Sequence, residues 1–278
     1  MTISTALRDG AAALVQAGLD ETPRLDVELL MAHALGVGRS ELLLRHMGGA
    51  VPDGFAPLLE RRLNHEPVAY ILGEQEFFGL SFRVSPAVLI PRGDSEVLVE
   101  AALAARPASA RVLDCGTGSG ALLLAVLANL PAAEGVGIDR SPEALTVAAD
   151  NAGRLGLADR VRMLLADWDN PGWQDDLGGP FDLILANPPY VESDAALAQS
   201  VLAHEPAGAL FAGKEGLDAY RVLIPQLPGL LAPDGVVMVE IGASQADSVT
   251  AIAAKAGFSA ILHCDLGGNP RLLQLSGE

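Results

Sequence analysis

Arg111-Val112-Leu113-Asp114-Cys115, then Gly116-Thr117-Gly118-Ser119-Gly120, then Ala121-Leu122-Leu123-Leu124-Ala125-Val126-Leu127-Ala128: this stretch decides the fold. The first run is short and largely apolar, as a buried strand is. The last run is built of strong helix formers. Between them three glycines let the backbone turn tightly and approach a ligand closely. Strand, glycine turn and helix start is the geometry that receives a nucleotide-like group. Gly116, Gly118 and Ala121 also satisfy the G-x-G-x-x-G/A dinucleotide pattern, which alone is a weak signal. Gly135-Val136-Gly137-Ile138-Asp139 follows as a second strand, ending in a carboxylate about twenty residues on. A carboxylate there can accept from both hydroxyls of a ribose, in NAD or in another adenosine-containing cofactor. Its structural alternative is to cap the next helix, but Ser141 before Pro142-Glu143 already fills that role.

Working outward, strands are expected at 111–115, 135–139, 161–166, 181–186, 235–241, 258–265 and 271–275. The first five are separated by helical or long connections. That implies an α/β fold, a seven-stranded, mostly parallel, doubly wound sheet with helices on both faces. The last two are close in sequence and suit an antiparallel hairpin. This domain is expected to occupy 92–278. Residues 1–72 carry helical periodicity instead: Leu7, Ala11, Leu14, Val15 and Gly18, then Leu25, Glu28, Leu29, Ala32 and Leu35. Gly36 and Gly38 end one helix, Ser40-Glu41 begins the next, and 57–64 reads as another. This small helical domain carries no catalytic constellation and is expected to recognise a partner. Residues 74–91 alternate apolar and polar, with Ser85-Pro86 at a turn, and suggest a β-hairpin linker over 73–91.

Asn187-Pro188-Pro189-Tyr190 directly follows the apolar run Phe181-Asp182-Leu183-Ile184-Leu185-Ala186. Two prolines fix two φ angles and remove two N–H donors, so the strand must stop there. It stops at its carboxyl end, where open α/β sheets bind ligands. An amide and an aromatic ring held rigidly there suit a flat, neutral, hydrogen-bonding target, such as another amide or an exocyclic amine. The bland alternative is a proline-rich turn.

Composition sets limits. The net charge is −17, lysine occurs only at 214 and 255, and Arg61-Arg62 is the sole tight basic pair. Nucleic-acid binders neutralise phosphates with basic patches, so no nucleic acid is expected and a protein target is favoured. Charged residues, glycine or proline break every apolar stretch before a membrane-spanning length, so no membrane partner is expected. No secretory signal is evident near residue 1. The two cysteines, Cys115 and Cys264, fall in predicted strands without metal spacing. Both are expected to be buried free thiols in a reducing cytoplasm. The five histidines are scattered, and no metal is expected.

Asp114-Cys115-Gly116-Thr117-Gly118-Ser119-Gly120, Asp139, Ala166-Asp167-Trp168 and Asn187-Pro188-Pro189-Tyr190 resemble the successive motifs of class I S-adenosylmethionine-dependent methyltransferases. The whole chain from about residue 22 resembles the HemK/PrmC family, the release-factor glutamine N5-methyltransferases. The more family-specific stretches are Pro67-Val68-Ala69-Tyr70-Ile71-Leu72-Gly73 and Leu89-Ile90-Pro91-Arg92, supported by His204-Glu205-Pro206 and Gly216-Leu217-Asp218-Ala219-Tyr220. The Asn-Pro-Pro-Tyr tetrad itself also occurs in methyltransferases acting on adenine N6 and guanine N2.

The resemblance implies methyl transfer from S-adenosylmethionine, leaving S-adenosylhomocysteine, to the glutamine of the Gly-Gly-Gln motif in peptide chain release factors. It implies cofactor binding by Gly116, Thr117, Gly118, Ser119, Gly120, Asp139, Asp167, Trp168 and Asn187. Catalysis would fall to Asn187, Pro188 and Tyr190, and the substrate amide to Asn187, Pro188, Pro189 and Tyr190. A monomer is expected. Trp168 has a bland alternative as core filling. A glutamine methyltransferase acting on a ribosomal protein, or an inactive cofactor-binding module, are the rival readings. Departures from the family pattern are Gly93, where proline is usual before an acidic residue, Cys115 in place of leucine, and Lys214-Glu215 before Gly216. Gly93 removes a φ lock, at roughly 0.4–1 kcal/mol of unfolded-state entropy.

Overall fold

The computed structural model describes residues 1–277. They divide into two compact units: Met1–Glu74 with Leu197–Glu205, and Gln75–Ala196 with the residues from Pro206 onward.

In the first unit, helices span Ile3–Gln16, Pro23–Leu35, Phe55–Leu63 and Val68–Leu72. Thr2 caps the first by accepting from the Thr5 N–H, and Gly36 ends the second in the left-handed conformation. The connection Arg39–Glu41 runs into a π-helical turn, Leu42–His46, that the sequence pattern does not announce. Ile3, Leu7, Leu14, Val27, Leu30, Met31, Leu42 and Phe55 form the core.

The stripe expected on the second helix is corrected. Leu25 is exposed and Leu29 only half-buried, while Asp26, Val27, Glu28, Leu30 and Met31 are buried. This helix is apolar nearly all round, so periodicity cannot select its inner face. Ion pairs do. Arg62 Nε donates to Asp26 at 2.7 Å, and Arg39 Nε donates to Glu28 at 2.8 Å. Buried carboxylates need such partners. On the first helix Val15 is likewise exposed.

A hairpin follows, β1 (Glu74–Phe77), whose first residue closes the first unit, and β2 (Leu80–Arg83). Phe78 and Gly79, with φ of 50° and 72°, make the reversal. Two positive φ angles match the right-handed twist of paired strands. Ser85-Pro86 forms a separate, later turn, closed by the Val88 N–H on the Ser85 carbonyl at 3.0 Å.

Seven strands follow: β3 (Arg111–Cys115), β4 (Glu134–Asp139), β5 (Val161–Leu165), β6 (Phe181–Ala186), β7 (Leu231–Glu240), β8 (Phe258–Cys264) and β9 (Pro270–Gly277). Their order in the sheet is β5-β4-β3-β6-β7-β9-β8. All neighbours through β7 are parallel, and β9 runs antiparallel between β7 and β8. The expected seven-stranded, mostly parallel sheet is borne out. The largest boundary difference is in β7, which begins at Leu231, pairs with Phe181, then shifts register before Val236 meets Leu183. Pro233 has no N–H to give the ladder and Asp234 adopts a φ of 60°, so the strand bulges there.

Side chains alternate across the sheet, as strand geometry requires. Leu113, Cys115, Ile184, Ala186, Val237 and Val239 face one core with Tyr220, Leu223, Val249 and Ala253. Val112, Leu183, Leu185 and Met238 face the other with Leu98, Val99, Leu123 and Val126. Helices therefore cover both faces, which is why the inner strands read as continuous apolar runs. Cys115 is buried as expected, but Cys264 is exposed. It closes β8, the edge strand, whose outer positions Ile261 and Leu262 are also exposed.

Candidate active site

The chain winds outward from β3 through β4 to β5, then returns to place β6 on the other side of β3. The crevice between the carboxyl ends of β3 and β6 is thus the point where strand order reverses, and ligands bind at such points. Register decides what meets there. Cys115 pairs with Ala186, so Gly116 and Asn187 leave the sheet at one level. Ile138 pairs with Cys115 and brings Asp139 beside them; Ala186 pairs with Val239 and brings Glu240.

The glycine turn is fixed by the strand next to it. Gly116 and Thr117 both donate their N–H to the Ile138 carbonyl, at 2.9 and 2.8 Å. The Gly118 N–H donates to Asp139 Oδ2 at 2.9 Å, and Ser141 N–H to Asp139 Oδ1 at 2.9 Å. Ser141 in turn caps the helix Pro142–Arg154. Thr117 Oγ1 donates to Asp114 Oδ2 at 2.7 Å. Fully buried Asn151 gives its amide to the Ser119 carbonyl at 2.9 Å and takes the Arg83 N–H at 2.7 Å. Gly116 is required twice over: its φ is 78°, and a Cβ would meet the Trp168 ring at 3.2 Å.

Glu240 lies outside every motif, and Asp114 opens the glycine motif without a role of its own in it. Burial pushes the Asp114 carboxyl up to about 7, against the Thr117 bond that favours its charge, and its Oδ1 has no partner. Glu240, only 4% exposed, is raised to about 6 chiefly by burial. Tyr190 Oη donates to Glu240 Oε1 at 3.4 Å, and burial followed by the Glu240 charge lifts the phenol to about 12. The Ser95 hydroxyl, the Arg271 charge and the Asn187 amide also favour the Glu240 carboxylate, yet Oε2 has no full hydrogen bond. The tetrad's backbone is pinned from the same side. Gln245 Nε2 donates to the Tyr190 carbonyl at 3.0 Å and to the Gly216 carbonyl at 3.1 Å. Gly216 lies so close to the Tyr190 carbonyl that no side chain fits there.

A cavity of about 410 Å³ opens at this level, within the roughly 300–1,000 Å³ usual for small-molecule sites. Gly116, Thr117, Gly118, Ser119, Asp139, Asp167, Trp168, Asn187 and Pro189 all line it. Gly120, Pro188 and Tyr190 do not. Gly120 starts the helix Ala121–Asn129, Pro188 is buried, and Tyr190 turns its hydroxyl to Glu240. The segment 87–92, which holds the family-like stretch Leu89-Ile90-Pro91-Arg92, completes the wall with parts of 206–213 and with Arg140, which no motif announces. Arg140 Nη2 holds the Gly208 carbonyl at 2.8 Å.

The seven-stranded sheet of this order, with its cavity at the switch point, is the architecture of a methyltransferase domain, the class that the family match assigns. Residues 108–259 match the family model described as a methyltransferase domain. A methyltransferase from Pyrococcus furiosus has a similar fold, with a TM-score of 0.55 at 19% identity, covering 80% of this chain and 98% of that one. Residues 5–73 match the PrmC N-terminal domain. The chain is 41% identical to a release factor glutamine methyltransferase from Cereibacter sphaeroides, over 98% of each sequence. A protein of the same name from Bradyrhizobium diazoefficiens is 43% identical, over 97% of this chain and 93% of its own. The chain belongs to the release factor glutamine methyltransferase family.

Proposed function

We propose that this protein transfers a methyl group from S-adenosylmethionine to the side-chain amide nitrogen of a glutamine, the one in the Gly-Gly-Gln motif of peptide chain release factors. The observation that carries the reading is the register that sets the glycine turn, Asp139 and Asn187 around one cavity. The residues present suit the cofactor. A side-chain-free backbone at Gly116 faces the Trp168 ring, and the carboxylate of Asp139 at the end of β4 lines the same cavity. Residues 116–119 would hold the methionine part, Asp139 the ribose hydroxyls, and Asp167 with Trp168 the adenine end. When bound, the sulfonium supplies an electrophilic methyl carbon and leaves as the neutral thioether of S-adenosylhomocysteine.

The protein's task is to present a poor nucleophile. An amide lone pair is delocalised into its carbonyl, so orientation must supply much of the acceleration. Asn187 Oδ1 and the Pro188 carbonyl each accept one N–H of the substrate amide and aim the lone pair at the methyl carbon. Pro189 fixes this backbone in its strand-ending turn, and Tyr190 packs against the planar amide and excludes water. The amide nitrogen would lose its proton only after the methyl group is on it, so the tetrad needs to orient the amide and no strong base is needed. Mass spectrometry of release factor incubated with enzyme and S-adenosylmethionine tests the reading. A gain of one methyl mass on the Gly-Gly-Gln glutamine is expected. An unmodified glutamine, with cofactor still bound, would leave only a binding module.

A further inference from the structure

Glu240 is a charge in a place where a charge needs a reason. It ends β7 opposite the start of the tetrad, it is almost wholly buried, and it is absent from the cavity wall. It therefore stands behind the residues that face the substrate. Tyr190 Oη donates to Oε1 at 3.4 Å, Oε2 has no hydrogen-bond partner, and the Asn187 amide bears on the carboxyl and favours its charged form. A buried oxygen left unpaired is costly unless a donor fills it.

We infer that Glu240 is the positioning residue of the tetrad, its carboxylate taking the Asn187 Nδ2–H so that Asn187 Oδ1 is the end presented to the substrate. This rests on the amide-clamp reading above. The chemistry is specific. An ionised carboxylate only accepts, so it can bind only the NH₂ end of an asparagine. The opposite rotamer would set two acceptors against each other and offer the substrate N–H a donor. A protonated carboxyl can donate as well, and then either rotamer is satisfied. Orientation of Asn187 thus depends on the charge of Glu240. The groups bearing on that charge are Arg271 of β9, Tyr190 after β6, and Ser95 beside Asp94, which itself pairs with Arg271 at 2.8 Å. Tyr220 donates to the Glu240 backbone carbonyl at 2.9 Å and leaves the carboxylate alone.

The test is single-turnover methyl transfer to purified release factor at saturating S-adenosylmethionine, from pH 5 to 8. Wild type should gain rate with pH through about 6, as the carboxylate ionises. Glu240→Gln keeps the shape but can donate or accept. It should be slower by roughly 10- to 100-fold, since small misplacements cost that much, and should lose the acid limb. Glu240→Asp, which keeps the charge, should recover part of the rate and retain the limb. Cofactor Kd, measured alongside, should hold in both. Asn187→Ala with Glu240→Gln should be no slower than Asn187→Ala alone. A Glu240→Gln enzyme at wild-type rate, an acid limb that survives in it, or penalties that multiply in the double variant would each overturn the proposal. A fast Asn187→Ala enzyme would instead overturn the clamp itself.

Discussion

At the scale of single residues, Asn187 and Asp139 are expected to divide the labour, and their variants should separate it. Asn187→Ala removes an acceptor that orients the amide but holds no ribose. Its transfer rate should fall roughly 10²–10³-fold, as on losing one preorganised polar group, with cofactor Kd nearly constant. Asp139→Ala removes a carboxylate that already anchors the Gly118 and Ser141 N–H groups. At about 1.5–3 kcal/mol per charge-assisted bond, cofactor Kd should rise by one to two orders of magnitude, and saturating cofactor should recover much of the rate. Calorimetric Kd with single-turnover rates checks both; a fast Asn187→Ala enzyme would reduce Asn187 to a structural stop. Gly93 gives a prediction of opposite sign. It opens the short 3-10 turn Gly93–Ser95, where an N–H has no intrahelical acceptor, and open space surrounds its Cβ position. Arg92 before it already sits at φ −101°, ψ 141°, a conformation a following proline accepts. Gly93→Pro should therefore raise stability by roughly 0.4–1 kcal/mol, read as an increased urea midpoint at unchanged slope.

At the scale of elements, what was legible depended on whether neighbours in sequence or neighbours in space set the outcome. The inner strands and the glycine turn could be read because each is a short apolar run closed by glycine, carboxylate or proline. The second helix could not, because Leu25, Val27, Leu29, Leu30 and Met31 offer apolar groups in every direction and Arg62 and Arg39 choose the face. Glu240 reads in sequence as the polar end of an apolar run; only the pairing of Ala186 with Val239 puts it behind Asn187. Asp114 is legible as the head of the glycine motif, but only its place inside β3 shows that it is buried. Its burial has a measurable consequence. A carboxyl whose folded pKa is raised, here from 3.8 to about 7, favours the folded state fully below the unfolded value. That contribution is lost as pH rises from about 4 to 7, on the order of a few kcal/mol. Glu240 acts in the same direction up to about 6. The ligand-free protein should accordingly lose thermal stability between pH 5 and 8. Asp114→Asn, which can still accept from Thr117 Oγ1, should lose less. Equal losses in the two proteins would mean that Asp114 is not the group responsible.

At the scale of the whole molecule, the two units share no continuous stretch of chain. The first takes Met1–Glu74 and then, soon after Tyr190, the segment Leu197–Glu205. Every residue lining the cavity belongs to the second unit. Cofactor binding and the chemistry of the amide are therefore assigned to the second unit, and we expect the first to recognise the release factor as a folded protein. A chain carrying a net charge of −17 gains on-rate from a complementary, basic partner, and such steering weakens as salt screens it. Removing residues 1–72 should raise the KM for intact release factor strongly while cofactor Kd changes little. The deletion also strips the helical core from around Leu197–Glu205, so the truncated protein must first show a cooperative melt and wild-type cofactor affinity. A short peptide containing Gly-Gly-Gln supplies the internal control. Its methylation, which needs only the cavity, should proceed at comparable rates in both proteins. Unchanged methylation of intact release factor by a well-folded truncated enzyme would move substrate recognition into the second unit.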